Sequence, residues 1–342
     1  MGLARKTVKN HIITEEKRKQ FNKTNVEILN DFMIYLRSTG KKEGTILNYH
    51  NDIEMFFVWN LEANKNKDFD KLTKREIMFF QNYCINILKL GSARYRRLRS
   101  SISSMSNYVE NMMDDVYPNF RNIINKVEAP PKSAVREKSV FEEHELKDLL
   151  DELVEQEEYQ KACVLALAMG SGNRKSELLR FKASFFVDEN IKFGSLWKTP
   201  EISVKGRGDT RKQRWVLIST FKPYLDLWLK ERKKLGIECD ELFINYKSDG
   251  TYYPMLISTL NSYADLFTKM IGKNFYFHAM RHYFTTSLSK NNVPDEVIKE
   301  IIGWQSLDMV SIYKDIDSDD MIGKYFDENG IKEVKKKDLS DL

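Results

Sequence analysis

Two polar side chains, His278 and Arg281, lie one helical turn apart within the aromatic-rich stretch FYFHAMRHYFTTSL, residues 275–288. Polar groups in an apolar stretch lose hydration energy unless a hydrogen-bond partner or a ligand compensates for it. The pair is therefore either a satisfied buried contact or part of a ligand site. An imidazole and a guanidinium on one helix face could bind an anion, and the imidazole could also exchange a proton.

Three further polar features occur in the second half of the chain. In GSGNRKSELLRF a buried helix ends at a glycine turn, and Arg174 and Glu177 follow on a new helix. SVKGRGDTRKQRWVLI is a hairpin rich in Lys and Arg, and in GWQSLDMVSIY Trp304 precedes Tyr313 by nine residues. Each feature alone has an ordinary explanation, such as an i, i+3 ion pair, solvated charges or a half-buried tyrosine. A function can be argued only from their combination.

In their order and spacing these features resemble the active-site pattern of the tyrosine recombinase family, the phage integrases. That pattern is an arginine with a nearby acid, a hairpin lysine, H-x-x-R, and G-[HW] followed nine residues later by a tyrosine. The chain supplies Arg174 with Glu177, the basic hairpin, His278 with Arg281, Gly303 with Trp304, and Tyr313. The resemblance covers roughly residues 24–325, because the helical front half also resembles the core-binding domain of the family.

The resemblance implies that Tyr313 is the nucleophile of a site-specific DNA recombinase or integrase. Its attack on a phosphodiester would give a 3′-phosphotyrosine and a free 5′-hydroxyl. Because this covalent bond retains the energy of the phosphodiester, neither ATP nor another cofactor is expected. No metal ion is expected either, because arginines would stabilise the charge that an ion otherwise stabilises.

The remaining site residues follow from the charge that a phosphodiester develops in its transition state. Arg174 and Arg281 would clamp the non-bridging oxygens, since a planar guanidinium binds two oxygens at once and lysine cannot. Glu177 would support Arg174. The indole of Trp304 and the ring of His278 would donate further hydrogen bonds, or His278 would accept the proton of the nucleophile.

The hairpin departs from the family pattern at its lysine, which in the family protonates the leaving 5′-oxygen and often lies in a GKG turn. Here the turn is GRG, with Arg207 in the central position. Arginine is a poor general acid because its pKa stays above about 12. We therefore predict Lys205 as the proton donor, with Lys212 as the second candidate.

Before the catalytic pattern, apolar residues at three- and four-residue steps predict four helices and no strand. They begin near Val26, near Thr45, at a capping box formed by Thr73 and Glu76, and at Ser92 as the cap of the fourth. The fourth helix carries four predicted DNA-binding residues, namely Arg94, Arg96, Arg97 and Arg99. No acid interrupts this cluster, which favours contacts with DNA phosphates.

The net charge agrees with this interpretation. The first 138 residues hold 25 basic and 16 acidic residues, a net charge of +9, whereas the rest hold 30 and 34, a net charge of −4. Such an asymmetry suggests that the front half binds a polyanion, although solvated charged helices would also produce it.

The predicted fold is mainly α with a small antiparallel β-sheet: an all-α core-binding domain followed by an α+β catalytic domain. Residues 185–218 contain three β-rich runs that predict a three-stranded sheet. The predicted domains are a basic extension (1–23), the core-binding domain (24–127), a linker (128–140), the catalytic domain (141–327) and a C-terminal tail (328–342).

Localisation and partners follow from composition and from the resemblance. The longest apolar run is nine residues, far below the roughly 18 that span a bilayer, so no membrane contact is expected. Without a signal peptide or a CxxC motif, the protein is expected in the cytoplasm. The resemblance implies double-stranded DNA as the partner, a homotetramer on that DNA, and an accessory protein that controls direction. The alternatives are a non-catalytic DNA-binding regulator on the same fold, a DNA-relaxing topoisomerase and a helical interaction protein.

Overall fold

A computed structural model of the chain describes residues 12–131, 139–204, 210–313, 326–327 and 330–331. These residues divide into two compact units, the first up to residue 131 and the second from residue 139. Both are mainly helical, and the second also contains small antiparallel sheets, which confirms the predicted fold class. In the ranges described, no helix is long and apolar enough to span a bilayer. The five domain limits drawn from the sequence stay predictions.

The first unit is built from helices alone. Its α-helices are α1 (Glu15–Arg18), α2 (Lys23–Ser38), α3 (Glu43–Ala63), α4 (Lys74–Asn82) and α5 (Ser92–Met112), with 3₁₀ turns at Phe69–Lys71 and Ile124–Lys126 and a π-turn at Tyr83–Ile87. Helix α4 has the expected capping box, in which Thr73 Oγ1 accepts from Glu76 N and the Glu76 carboxylate accepts from Thr73 N. Gly91, not Ser92, holds the cap position of α5, so Ser92 is the first helical residue.

Helix α3 is the centre of the first unit. Its residues 52–60 are all buried, and the Phe56 ring meets Phe80 of α4 edge to face with 4.9 Å between centroids. The buried Asp52 carboxylate binds α5 by accepting from Arg94 Nη1 at 2.7 Å and Ser101 Oγ at 2.9 Å. Within the buried part of α3 the Asp52 carboxylate needs these hydrogen-bond donors, because a buried carboxylate without a partner would destabilise the fold.

The second unit surrounds a buried helix with other helices and short strands. Its helices are α6 (Glu143–Glu155), α7 (Tyr159–Ser171), α8 (Lys175–Leu178), α9 (Ile218–Lys234), α10 (Ile257–Ile271), α11 (Phe277–Lys290), α12 (Asp295–Ile302) and α13 (Asp308–Tyr313), with 3₁₀ turns at Ala183–Phe185 and Asp188–Asn190. Its strands are β1 (Ile191–Lys192), β2 (Leu196–Lys198), β3 (Ile202–Ser203), β4 (Arg211–Lys212), β5 (Trp215–Leu217), β6 (Ile244–Tyr246), β7 (Tyr252–Pro254), β8 (Phe326–Asp327) and β9 (Gly330–Ile331). Helix α7 is buried from residue 162 to 171 and packs against α9 and α11.

The strands pair differently from the prediction of one strand for each β-rich run. The three-stranded sheet is β1-β2-β5, both β1 and β2 come from the first run, and the middle run forms β3, which pairs only with β4. Between β2 and β3 the chain passes through Pro200, which has no N–H to continue the ladder. Three residues there face two on the other strand, so the long hairpin is interrupted by a bulge at residues 199–201.

Candidate active site

The turn after α7 begins the site. Gly172 has φ +57°, and a Cβ on it would lie 2.7 Å from Phe284 Cδ1, so a side chain here would both strain the backbone and collide with α11. The chain then reverses direction, which makes Arg174 the N-cap of α8 and places Glu177 on its first turn. Glycine is therefore required for α7 and α11 to approach closely at the point where the site residues follow.

A buried carboxylate joins two arginines at the centre of the site. Glu177 is fully buried, and its two oxygens accept from Arg174 Nη1 at 2.9 Å and from Arg214 Nη2 at 3.1 Å. Burial by itself would raise the pKa of Glu177, but the charges of Arg214 and Arg174 outweigh it and hold the pKa below its ordinary value. Glu177 is thus a fixed negative charge shared by two guanidiniums.

Arg214 is a site residue that the sequence analysis missed. It directly precedes β5, in which Trp215 is half-buried and Val216 is buried. The period of two therefore places Arg214 on the same buried face as Val216. A lone arginine on the core face of a strand requires an acid partner. This period was the signal available in the sequence, but the basic residues of the hairpin obscured it.

Arg281 lies on α11 and is almost fully buried, with 1% of its surface exposed. Its Nη1 donates to the Gly172 carbonyl at 3.1 Å, and its guanidinium carbon lies 5.1 Å from the centroid of the Trp304 ring. Burial, together with the nearby charge of Arg174, lowers the pKa of Arg281 to about 10. The guanidinium therefore remains charged at neutral pH.

Tyr313 ends α13 with its hydroxyl inside the site. The hydroxyl oxygen lies 2.7 Å from His278 Nε2, and 9% of the residue is exposed. Its ring packs against the rings of Trp304 and His282, with centroids 4.9 and 4.5 Å apart. His282 is a second neighbour that the sequence analysis missed, although its place next to Arg281 on the same helix put it within reach.

Of the two lysines predicted as proton donor, the structure describes only the second candidate. Lys205, like Arg207, lies outside the residues that the structure describes. Lys212, the second candidate, donates from Nζ to the Gly303 carbonyl at 3.1 Å, directly before Trp304. Gly303 has φ +75°, and a Cβ there would lie 2.8 Å from Arg214 Nη1. The hairpin and the turn before Trp304 are therefore in close contact.

Several buried N–H donors of these elements have no acceptor among the atoms that the structure describes. They are Asn173 Nδ2, Arg214 Nε, Arg281 Nε and Trp304 Nε1. A buried donor without an acceptor costs about 1–3 kcal/mol, so such groups are rare unless a ligand or water satisfies them. Buried donors without acceptors, close to the positive charges of Arg174, Arg214 and Arg281, are suited to binding an anion. The donors on Arg281 and Trp304 lie beside the ring of Tyr313, so these can bind a phosphate next to its hydroxyl.

The predicted DNA-binding arginines of α5 make contacts within their own unit. Besides Arg94, Asp52 also holds Arg97 Nε, at 3.4 Å. The side chain of Arg97 is 53% exposed, against 34% for Arg94. The acid that is absent from the sequence of the cluster is therefore supplied by α3.

The other two arginines of the cluster hold the segment that follows α5. Arg96 donates from Nε and Nη2 to the Pro130 carbonyl at 2.9 and 2.6 Å, and Arg99 Nη2 donates to the Val127 carbonyl at 2.7 Å. These bonds fix the end of the unit against α5. A role of all four arginines in DNA binding stays a prediction, and Arg97 is the one with an exposed side chain.

Comparison with known proteins agrees with this geometry. Residues 139–319 match the model of the phage integrase family, and residues 28–118 match that of the phage integrase N-terminal SAM-like domain. The SPbeta prophage-derived recombinase-like protein YomM of Bacillus subtilis is 26% identical over 235 residues, 68% of each chain. Tyrosine recombinase XerA of Pyrococcus horikoshii is 25% identical over 294 residues, 84% of this chain and 89% of that one.

Solved structures of similar fold include a lambda integrase tetramer bound to a Holliday junction. Its TM-score is 0.61 at 18% identity, with 84% of this chain and 76% of that chain covered. The fold is thus shared across both units, and the family model alone covers more than half of the chain. The chain belongs to the phage integrase family and is a tyrosine-type site-specific DNA recombinase.

Proposed function

We propose that Tyr313 cleaves and rejoins double-stranded DNA through a 3′-phosphotyrosyl intermediate. The observation that carries the proposal is the Tyr313 hydroxyl, 2.7 Å from His278 Nε2 and beside the buried guanidinium of Arg281. In the first step a bond forms between Tyr313 Oη and phosphorus, and the bond from phosphorus to the 5′-oxygen breaks. The released 5′-hydroxyl of a second strand reverses these changes and rejoins the DNA.

Charge stabilisation is assigned to the residues with surplus donors. Arg174 and Arg281 bind the non-bridging oxygens, and the indole N–H of Trp304 donates to one of them. Glu177 holds Arg174 in place, as its 2.9 Å contact supports. Because these groups are fixed before the substrate arrives, they need little reorganisation as charge develops.

His278 is assigned the proton of the nucleophile. We assign the phenol as the donor and Nε2 as the acceptor in the resting site, with the hydrogen of the neutral ring on the other nitrogen. When Tyr313 attacks phosphorus, the proton moves to Nε2. The imidazolium formed then adds a further positive charge beside the transition state.

A hairpin lysine is proposed to give its proton to the leaving 5′-oxygen, with Lys205 as the first candidate and Lys212 as the second. The contact of Lys212 with the Gly303 carbonyl supports a position near the site. A substrate with sulfur in place of the 5′-bridging oxygen separates the two, because a thiolate leaves without a proton. The lysine whose Ala variant is rescued by that substrate is the donor, and the other variant should remain slow.

On its DNA the protein is proposed to act as a homotetramer in the cytoplasm, with an accessory protein that sets the direction of recombination. The tetrameric lambda integrase of similar fold supports the assembly. A non-catalytic regulator would not need the contact between Tyr313 and His278. That contact therefore favours an enzyme.

Covalent trapping tests the proposal. The protein and its Tyr313→Phe variant are incubated with fragmented DNA of the source genome, denatured, and the protein-linked DNA is sequenced. We expect one enriched junction with the unmodified protein and none with the variant. Adducts without a preferred sequence would indicate a topoisomerase instead. Selective binding with no adduct would make the protein a regulator and overturn the proposal.

A further inference from the structure

Arg214 connects three segments that meet at the site. It donates to Glu177 of the α8 turn, it belongs to the hairpin, and its Nη1 would be 2.8 Å from a Cβ on Gly303. We propose that Arg214 is a positioning residue for DNA cleavage: it holds Glu177, and through it Arg174, at a fixed distance from the turn of Gly303 and Trp304. The inference rests on the proposed function and assigns a role that does not require contact with DNA.

The local fold directs Arg214 inward. Its backbone N–H donates to Thr199 Oγ1 at 3.0 Å, and its carbonyl accepts from Thr199 N at 2.9 Å, where Pro200 interrupts the ladder. The bulge on the other strand therefore pins the backbone of Arg214. As a result the guanidinium is 2% exposed and can reach only the groups around it.

Arg214 also sets the charge of the site. Arg174, Arg281 and Arg214 against Glu177 leave two positive charges, which match the charge of a phosphorane-like transition state better than the single charge of the phosphodiester. Without Arg214, Glu177 would neutralise Arg174, and one net positive charge would remain. A loss of Arg214 should therefore slow cleavage more than it weakens DNA binding.

The same unit contains a matched control. Arg232 on α9 is 4% exposed, and its guanidinium donates to main-chain carbonyls, including Glu241 O at 2.6 Å and Leu242 O at 2.9 Å. It is as buried as Arg214, but its partners are structural. Substitution of Arg232 therefore measures what the loss of a buried arginine does to the fold alone.

The experiment compares Arg214→Met, Arg214→Lys and Arg232→Met. A duplex with the junction recovered by trapping is the substrate, and the readouts are the single-turnover rate of adduct formation, the melting temperature, and DNA affinity measured with Tyr313→Phe added. For Arg214→Met we expect a rate about 100-fold lower with DNA affinity within about three-fold. Arg214→Lys should recover part of the rate, and Arg232→Met should lower the melting temperature but keep the rate within about three-fold.

A second arm tests whether Arg214 acts through Glu177. If it does, the rate losses of Glu177→Gln and Arg214→Met should not multiply in the double variant. The double variant should be no slower than Arg214→Met, because removing both groups restores the net charge of two. Multiplying losses would overturn the inference, as would equal rates for Arg214→Met and Arg232→Met. If the unmodified protein forms no adduct, the proposed function has failed instead. If it does and Arg214→Met matches its rate, only the inference fails.

Discussion

Each unit buries a carboxylate beneath arginines, but the two groups differ in what remains unpaired. In the first unit Asp52 forms ion pairs with Arg94 and Arg97. The other two arginines of α5, Arg96 and Arg99, donate to main-chain carbonyls of their own unit. In the second unit Glu177 holds Arg174 and Arg214, yet buried donors around it lack acceptors within the described ranges. The buried groups of the first cluster are paired within the protein, whereas the second retains buried donors that an anion could satisfy.

This difference shows that the density of arginines in a sequence is a poor guide to a phosphate site. The four arginines of α5 lie within six residues, and their acid comes from another helix. The three arginines of the site are far apart in the sequence and are brought together by the fold. Surplus buried donors, rather than a run of positive charge, distinguish a ligand site from a structural one.

The largest effect is expected from Gly303→Ala, because a Cβ there would lie 2.8 Å from Arg214 Nη1 and the guanidinium would have to shift. Gly303 and Gly272 both follow helices with similar φ, +75° and +71°, but a Cβ on Gly272 meets nothing within 4 Å. Both Ala variants should lose about 1 kcal/mol of stability from the left-handed backbone. Only Gly303→Ala should also slow adduct formation, by about 100-fold, in a single-turnover assay.

Comparison of Gly303→Ala with Gly272→Ala separates the effect of backbone strain from that of a collision with the Arg214 side chain. Equal rates for Gly303→Ala and Gly272→Ala would mean that the position of Arg214 does not matter for cleavage.

A pH-dependent effect on stability is expected from Glu54, another buried acid of the first unit. Burial would raise the pKa of its carboxyl, but His50 and Arg18 outweigh it and lower the pKa to about 2, from an ordinary value of 4.5. A lowered pKa contributes stability above pH 4.5 and loses it as the pH falls towards 2. Glu54→Gln should therefore cost on the order of 2 kcal/mol near pH 7.

Thermal unfolding of the two proteins between pH 7 and pH 2 provides the measurement. The melting temperatures of the unmodified protein and of Glu54→Gln should converge as the pH falls from 4.5 towards 2. A difference that stays constant over this range would show that Glu54 is not held as an anion by its partners.

The smallest effects should separate Arg97 from Arg99 within the α5 cluster. Arg97 has a half-exposed side chain, so Arg97→Ala should weaken DNA binding about three- to ten-fold at moderate salt and lower the salt dependence by about one ion. Arg99 donates to the carbonyls of Ile124 and Val127. Arg99→Ala should leave DNA affinity unchanged and reduce stability by about 1–2 kcal/mol. DNA-binding titrations of both variants at several salt concentrations provide the measurement. Weaker binding by Arg99→Ala with unchanged binding by Arg97→Ala would contradict the prediction.

Much of the architecture could be predicted because it depends on local patterns. Helical periodicity and the capping box at Thr73 indicated the helices of the first unit. Order and spacing indicated the site residues, and the structure brings together those of them that it describes, namely Arg174, Glu177, His278, Arg281, Trp304 and Tyr313. Long-range partners could not be predicted in this way. Asp52 pairs with α5, and Arg214 pairs with Glu177. Periodicity can place Arg214 on a buried face, but it does not identify the partner of either residue.

The strand pairing was wrong for a related reason. A turn at Phe193 and Gly194, with φ of +54° and +69°, divides the first run into β1 and β2. Pro200 then separates β2 from β3, so that the middle run pairs with β4 outside the three-stranded sheet. The bulge that results is the feature that turns Arg214 towards Glu177.

The close approach of Gly303 to Arg214 has a consequence for how such proteins can vary during evolution. A Cβ at position 303 would occupy the space of the Arg214 guanidinium, so a larger residue at 303 can be tolerated only where position 214 carries a shorter side chain. Loss of Arg214 also removes one of the two partners of Glu177. We expect these three positions to change together among relatives rather than singly. A lineage that abandons DNA cleavage should lose all of them within a short time, because each is costly to keep without the others.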